Sequence, residues 1–119
     1  MRLTEAERKV MEVLWANTPI TATEMVKELE KTVQWRKTTT YTTITCCIEK
    51  GYIRREDPGF RCYPLISKED VTNFETDRLI RQGYDGSADL LVAALVGEKK
   101  LSLEKLQALY ETLKDMEQD

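Results

Sequence analysis

The chain has 119 residues and a formal net charge of −3, with 33% charged and 41% hydrophobic residues. This length predicts a single small domain, with or without an appendage. The longest apolar run, Leu90–Val96, has seven residues, whereas a membrane-spanning helix needs ~20. The sequence becomes charged directly after Met1, so we expect neither a transmembrane segment nor a signal peptide.

The numbers of His and Cys residues argue against several classes of enzyme and metal site. The chain has no His and three Cys, so it lacks the commonest general base and metal ligand and has no even set of cysteines for a disulfide framework. These counts argue against most hydrolases and zinc enzymes, and a Cys nucleophile would have no His to activate its thiol. We therefore expect a cytoplasmic protein that is not an enzyme and has no metal or other cofactor.

Charge is distributed unevenly along the chain. Residues 31–65 carry seven basic and three acidic side chains, whereas residues 66–119 carry seven basic and twelve acidic ones. The first segment could face the phosphates of a nucleic acid. A local excess of charge also occurs on ordinary solvated surfaces, so charge alone leaves both interpretations open.

Two capping boxes predict the first two helices. Thr4–Glu7 begins a helix that ends near Asn17, and Thr21–Glu24 begins a shorter helix that ends near Lys31. Apolar residues recur at helical spacing behind each box. Ile20 is expected in a short extended link between the two helices.

The segment 36–48 has two interpretations. Its many β-branched residues favour a strand, whereas its apolar spacing, and Gly51 at the position of a helix C-cap, favour a helix. We choose the helix, because a strand here would leave the two preceding helices without their partner. The predicted buried face comprises Thr40, Ile44, Cys47 and Ile48, and the predicted polar face comprises Lys37, Thr38, Tyr41, Thr42, Thr45 and Glu49.

A β-hairpin is expected next. The turn residues Asp57-Pro58-Gly59 separate two short segments, Tyr52–Glu56 and Phe60–Tyr63, that are rich in aromatic and β-branched residues. Three further helices are expected after the hairpin, the first from Ser67 to Gly83. The second is the nearly all-apolar segment 88–96, and the third begins at Ser102.

This order of elements predicts a mainly α fold, a winged helix-turn-helix with a C-terminal helical dimerisation segment. In that fold the third helix enters the major groove of DNA and the hairpin, or wing, lies on the flanking backbone. We assign residues 1–65 to DNA binding and residues 66–119 to dimerisation. The predicted DNA contacts are Arg36, Lys37, Thr38, Thr39, Tyr41, Thr42, Thr45, Arg54, Arg55 and Arg61.

The last helices predict a homodimer. They carry more apolar surface than three short helices can bury alone. A two-fold dimer places its two reading helices about one DNA turn, roughly 34 Å, apart, which predicts a palindromic operator. The predicted dimerisation residues are Leu79, Ile80, Leu90, Leu91, Ala94, Leu95, Leu106, Leu109 and Leu113.

Motifs along nearly the whole chain match one family in the same order. They are Leu3–Glu7, Val10–Trp15, Thr21–Val26, Trp35, Thr39, Lys50–Ile53, Pro64–Glu69, Gly86-Ser87, Leu91–Val96 and Leu101-Ser102. On these residues the sequence resembles the BlaI/MecI/CopY family of winged-helix regulators, the penicillinase and copper repressors. The resemblance implies a cytoplasmic bacterial repressor that binds inverted repeats as a dimer, with the C-terminal helices forming the dimer.

The resemblance also implies a way in which repression ends. In the best-known relatives, which respond to β-lactams, a membrane sensor protease triggers cleavage within the dimerisation helix. The corresponding bond here would lie near Ala94-Leu95. The copper branch carries Cys-x-Cys motifs in its tail, and residues 64–119 contain no Cys, which excludes copper sensing by that route.

Two features of the sequence have alternative interpretations. Many winged helices never touch DNA, so the alternative function is a protein-interaction module without sequence-specific DNA binding. The adjacent Cys46 and Cys47 could suggest a thiol sensor, but neighbours in a regular helix cannot form a disulfide. We expect Cys47 to be a small buried hydrophobe and Cys46 to be half-exposed, and with Cys62 the two would still lack a fourth ligand for a metal.

Overall fold

The computed structural model describes residues 1–118, which form helices and a small antiparallel sheet. The chain divides into two compact units, and the first comprises Met1–Glu75. The elements are α1 (Glu5–Asn17), β1 (Ile20–Thr21), α2 (Ala22–Val33), α3 (Lys37–Glu49), β2 (Ile53–Glu56), β3 (Arg61–Pro64), α4 (Lys68–Gly83), α5 (Ala88–Gly97) and α6 (Leu103–Glu117).

The starts of α1 and α2 are set by threonine caps. The Thr4 hydroxyl accepts the Glu7 amide at 3.1 Å, and the Glu7 carboxylate accepts the Thr4 amide at 2.8 Å, so the first predicted capping box is confirmed. The Thr21 hydroxyl accepts the Glu24 amide at 3.2 Å, but the Glu24 carboxylate accepts the Thr21 hydroxyl rather than its amide. The second capping box is therefore only half formed, although the helix begins where it was predicted.

Residues 37–49 form the helix α3, as predicted, against their β propensity. Tertiary packing overrides propensity here, because Thr40, Ile44 and Cys47 are fully buried against the other helices. Gly51 follows the helix with φ at +81°, a conformation that glycine adopts without strain. The connection from α2 is equally tight, since Gln34 has φ at +56° and donates its amide to Glu30.

The sheet adds a pairing that was not expected at Ile20. The backbone there is extended, as predicted, but Ile20–Thr21 is also a paired strand, and the sheet order is β1-β3-β2. Ile20 lies opposite Cys62, and Ile53 lies opposite Pro64 on the other side of β3. The sequence did not indicate this strand, because a two-residue strand has no detectable periodicity and its partner, β3, is far away in the sequence. The wing, which we define as residues 53–64, is therefore anchored to the start of α2 by a third strand.

The core of the first unit continues beyond the hairpin. Val71, in α4, is fully buried with the core residues of α1 and α3. The Trp15 indole donates to the Ile66 carbonyl at 2.9 Å, and Arg8 pairs with Glu75 at 2.8 Å. These contacts carry the compact unit to Glu75, past the predicted division at residue 65.

The second unit begins at Thr76 and contains the end of α4 with α5 and α6. The Ser87 and Ser102 hydroxyls cap α5 and α6 by accepting the Leu90 and Lys105 amides. No residue from 76 to 118 is buried. None of the helices within residues 1–118 has the length and apolar character that crossing a membrane would require.

Candidate nucleic-acid interface

The exposed side of α3 presents hydroxyl groups. Thr38, Thr42 and Thr45 are exposed and recur at helical spacing on one side of α3, opposite the buried Thr40, Ile44 and Cys47. Thr39 is also exposed, whereas Tyr41 is half-buried. A hydroxyl can donate and accept a hydrogen bond, and the threonine methyl adds apolar contact. This surface can therefore contact both base edges and phosphates.

The start of α3 differs from the starts of the other described helices. Arg36 occupies the N-cap position without a side-chain hydrogen bond, and the first turn has no acidic residue. The other helices have a Thr or Ser hydroxyl in this place. Free amides at a helix start favour an anion. The exposed Arg36 and Lys37, which pair with no carboxylate among residues 1–118, add positive charge there.

The arginines of the wing differ in their surroundings. Arg54 lies 4.2 Å from the centre of the Tyr63 ring and pairs with Glu56 at 2.9 Å. Arg61 is exposed and pairs with no carboxylate in the described part of the chain. Sequence reasoning treated the wing arginines as equivalent, and it missed the carboxylates that partly neutralise two of them.

Arg55 and Phe60 connect the wing to α3. Arg55 pairs with Asp57 at 3.0 Å, and its guanidinium lies 3.6 Å from the centre of the Phe60 ring. The Phe60 and Tyr41 rings are 5.9 Å apart at an interplanar angle of 58°. The Lys37 ammonium in turn lies 5.8 Å from the Tyr41 ring. We call this chain of five side chains, Lys37, Tyr41, Phe60, Arg55 and Asp57, the aromatic bridge. Phe60 was not among the predicted site residues, and its only signal was an aromatic residue directly after a Pro-Gly turn.

The far end of α3 is held by a charged pair. The Lys50 ammonium, at the C-cap, lies 2.8 Å from the carboxylate of Glu7 in α1, and Glu7 is only 2% exposed. Burial alone would raise the pKa of Glu7, but Lys50 and the Thr4 amide and hydroxyl outweigh it, so this pKa is lowered. Lys50 is therefore occupied in fixing α3 to α1.

The three cysteines lie in and beside the core. Cys47 and Cys62 are fully buried and Cys46 is half-buried, which confirms the expected burial of Cys46 and Cys47. Burial raises the pKa of Cys47 to about 12 and that of Cys62 to about 11. Both thiols are therefore protonated and weakly nucleophilic in the native protein. Residues 1–118 contain no cluster of acidic and Cys side chains arranged to hold a metal ion.

The predicted dimerisation residues all lie in the second unit and retain exposed surface. Leu79, Leu90, Leu109 and Leu113 are each about half exposed, between 49% and 56%. The remaining five are half-buried, and they are Ile80, Leu91, Ala94, Leu95 and Leu106. Ala94 and Leu95, the residues of the predicted cleavage bond, lie within α5.

Comparison with known proteins identifies the family. The family model described as penicillinase repressor matches residues 3–115. The chain belongs to the penicillinase repressor family. The chain is 28% identical to the penicillinase repressor of Bacillus licheniformis over 116 residues, which cover 96% of this chain and 91% of the relative. It is 27% identical to the methicillin resistance regulatory protein MecI of Staphylococcus aureus over 109 residues, which cover 90% and 89%.

Solved structures in this family resemble part of the chain. The DNA-binding domain of the repressor BlaI matches with a TM-score of 0.54 and 33% identity, over 59% of this chain and 93% of that one. The monomeric form of Bacillus licheniformis BlaI in complex with the blaP half-operator matches with a TM-score of 0.51 and 33% identity, over 59% and 88%. The family resemblance and the winged-helix fold predicted from the sequence are thereby confirmed. Penicillinase repressors are transcriptional regulators and not enzymes, which confirms that expectation as well.

Proposed function

We propose that this protein is a cytoplasmic transcriptional repressor that binds an inverted-repeat operator in double-stranded DNA as a homodimer. The observation that carries the proposal is the exposed threonine face of α3 beside a basic wing, in a member of the penicillinase repressor family. A relative with the same fold was solved with a half-operator. In the proposed complex α3 enters the major groove and the wing lies on the flanking backbone.

The roles of the contact residues follow from their chemistry. In the proposed complex Thr38, Thr42 and Thr45 read base edges and thymine methyl groups. The phosphates are neutralised by the basic residues at the uncapped start of α3 and on the wing, which are Arg36, Lys37, Arg54, Arg55 and Arg61. Thr39 and Tyr41, which lie between Thr38 and Thr42 in the sequence, complete the proposed contact surface.

Dimerisation is assigned to the second unit. Its apolar side chains are exposed in a single chain, and a second copy offers the same surface for mutual burial. The two-fold symmetry of such a dimer would place two copies of α3 about one turn of DNA apart. A palindromic operator follows from this geometry.

We assign relief of repression to proteolysis near Ala94-Leu95 that a membrane sensor protease triggers; the alternative is relief by another signal. Helix α5 has no residue buried within the single chain, so the bond would become accessible once the proposed dimer interface opens locally. Cleavage would divide the proposed dimerising segment and separate α6 from the DNA-binding unit. An intact protein in cells that have been induced and derepressed would contradict this assignment.

The proposal is tested by selecting genomic fragments with the purified full chain at about 0.05 and 0.2 M salt, followed by sequencing. We expect a palindrome whose enrichment falls steeply at the higher salt, because phosphate contacts release counterions. Thr42→Ala should reduce enrichment of the site, whereas Thr32→Ala, an exposed threonine in α2, should not. Absence of an enriched site at either salt would overturn the proposal and favour the protein-interaction module.

A further inference from the structure

Phe60 has an unusual backbone conformation. Its φ angle is +49°, in the left-handed region that bulky residues rarely adopt. Gly59 before it has φ at +97°, so the chain reverses through two left-handed residues in succession. Glycine at both positions would make this turn without strain. A phenylalanine held in such a conformation indicates that its side chain has a role that compensates for the strain.

The backbone of Phe60 is held from two sides. Its amide donates to the Asp57 carboxylate at 3.3 Å, and its carbonyl accepts the Ala22 amide, at the start of α2, at 3.0 Å. Asp57 also pairs with Arg55, so one carboxylate fixes both the turn and the arginine. The turn of the wing is therefore tied to the first helix of the helix-turn-helix as well as to its own strand.

The ring of Phe60 occupies the centre of the aromatic bridge. The Arg55 guanidinium lies 3.6 Å from the centre of this ring, and the centre of the Tyr41 ring lies 5.9 Å from it. Stacking of this kind is directional, because the ring face attracts a cation and aromatic pairs prefer tilted geometries. The bridge thus links a wing arginine to a residue on α3 through one side chain.

We propose that Phe60 is a positioning residue that sets the placement of the wing relative to α3. The inference rests on the proposed function, since it concerns how the two DNA-contacting elements are held together. With the wing fixed, α3 and the wing arginines meet the major groove and the flanking phosphates at the same time. Without the ring, α3 keeps its own contacts and the strands keep their backbone pairing, but Arg55 and the turn of the wing lose their side-chain link to α3. Phosphate contacts are therefore lost before base contacts.

Tyr63 provides the matched comparison within the same hairpin. Its ring also lies beneath an arginine, with Arg54 at 4.2 Å, and it is half-buried like Phe60. Among the described residues, however, Tyr63 makes no ring contact with α3. Replacing Tyr63 therefore removes an arginine–aromatic contact of the wing without breaking the bridge.

The test compares Phe60→Leu, Phe60→Tyr and Tyr63→Leu in the full chain, on the operator enriched by the wild type. Affinity is measured across a salt series, phosphate contacts are mapped by ethylation interference, and thermal unfolding is followed in parallel. We expect the affinity of F60L to be about tenfold lower than that of the wild type. The slope of its log affinity against log salt should fall by about one to two, which corresponds to one or two lost phosphate contacts, and its base preference should not change. F60Y should restore both properties, and Y63L should change affinity less than about threefold.

Several outcomes would overturn the inference. The first is a salt dependence of affinity in F60L equal to that of the wild type, and the second is a loss of affinity in Y63L as large as that in F60L. The third is a loss of affinity in F60L that is accompanied by a lower unfolding temperature and is not restored in F60Y. If F60L does not fold, Phe60→Gly serves as the second variant without the ring, because glycine adopts the left-handed conformation without strain. The same affinity and salt series are then measured on it. Failure of the wild type to select any operator would instead overturn the proposed function, and the inference with it.

Discussion

The two units of this protein obtain their stability in different ways. The first unit buries apolar side chains from α1, α2, α3, the sheet and the start of α4 in one core, and Met11, Leu14, Met25 and Ile44 have no exposed surface. The second unit has helices of similar length, yet no residue from 76 to 118 is buried. Similar apolar content therefore yields a core in one unit and an exposed surface in the other.

The difference shows that helical periodicity does not by itself indicate which partner a helix has. In the first unit a three-stranded sheet and four helices close around the apolar stripes. In the second unit Leu103 is 79% exposed and Met116 is 68% exposed. Exposed apolar surface of this extent is typical of an interface. The first unit should thus respond to mutation as a folded monomer does, and the second as a subunit interface does.

The largest expected effect lies in the core of the first unit. Leu14→Ala should lower the free energy of unfolding by about 2–5 kcal/mol, because a fully buried leucine leaves a cavity. Chemical denaturation should show the same loss at every protein concentration. The control Leu65→Ala, at a residue 55% exposed, should change stability by less than about 0.5 kcal/mol. If the loss of unfolding free energy depended on protein concentration, the first unit would not behave as a folded monomer, which would contradict the difference drawn here between the two units.

The proposed dimer interface of the second unit should respond next. The double variant Leu109→Ala and Leu113→Ala should raise the dimer dissociation constant about 10- to 100-fold, or roughly 1.4–2.8 kcal/mol, because it removes apolar area from the interface. Sedimentation over a concentration series measures this constant. Lys105→Ala, on the same helix, serves as the control. A monomeric wild type, or an unchanged constant in the double variant, would contradict the assignment.

The Glu7–Lys50 pair should make the first unit sensitive to acid. The pKa of Glu7 is lowered on folding from its ordinary 4.5, so its stabilisation is complete above that pH and is lost as the pH falls through the folded value. Glu7→Gln keeps the capping acceptor, removes the charge and should destabilise by roughly 1–3 kcal/mol at pH 7.

Unfolding curves measured from pH 7 to pH 3 check this prediction. The difference between the wild type and E7Q should shrink as the pH falls, because the wild-type carboxylate becomes protonated. Glu5→Gln in the same turn, where the carboxylate is exposed and lies 3.8 Å from Lys9, is the control. A difference that stays constant with pH would show that Glu7 acts through its shape and not its charge.

A smaller effect is expected from a single wing arginine. Arg61→Gln should reduce the slope of log affinity against log salt by about one and leave base preference unchanged, because it removes one phosphate contact. Filter binding to the selected operator at several salt concentrations measures the slope. Lys9→Gln in α1 carries the same charge change outside the proposed interface and should keep the wild-type slope.

The smallest effect concerns the thiols. A thiol reagent at pH 8 should modify Cys46 in the native protein and reach Cys47 and Cys62 only on unfolding, since burial raises the pKa of both buried thiols. Mass spectrometry of peptides from native and unfolded protein distinguishes the three sites. Equal labelling of all three in the native state would indicate that the first unit opens far more readily than its core suggests.

Much of the first unit could be predicted because its signals are local. The Thr4 capping box and the helix end near Gly51 involve neighbours in sequence. The structure confirms the capping box and places the left-handed Gly51 one residue after the C-cap, Lys50. The helix over 37–49 was predictable only by weighing its apolar spacing against its β propensity. The strand at Ile20 was missed, because two residues show no pattern and their partner strand lies about forty residues further on.

The candidate interface was predicted unevenly for the same reason. The exposed face of Thr38, Thr42 and Thr45 follows from helical periodicity alone, so the sequence places it correctly. The contact between Tyr41 and Phe60 joins residues from different elements, and neither residue type nor spacing indicates it. The roles of these residues in binding DNA stay predictions until the operator experiment is done.

The order of the elements, the family and the polar side of α3 follow from the amino-acid sequence, because caps, periodicities and motifs depend on residues close together in the chain. Three features follow from the tertiary structure and not from such local signals: the pairing of β1 in the sheet, the contact between Glu7 and Lys50, and the link from the wing to α3 through Phe60. These contacts join distant segments, and their geometry depends on how the whole core packs. The same packing decided that the first unit encloses its apolar residues while the second leaves them exposed.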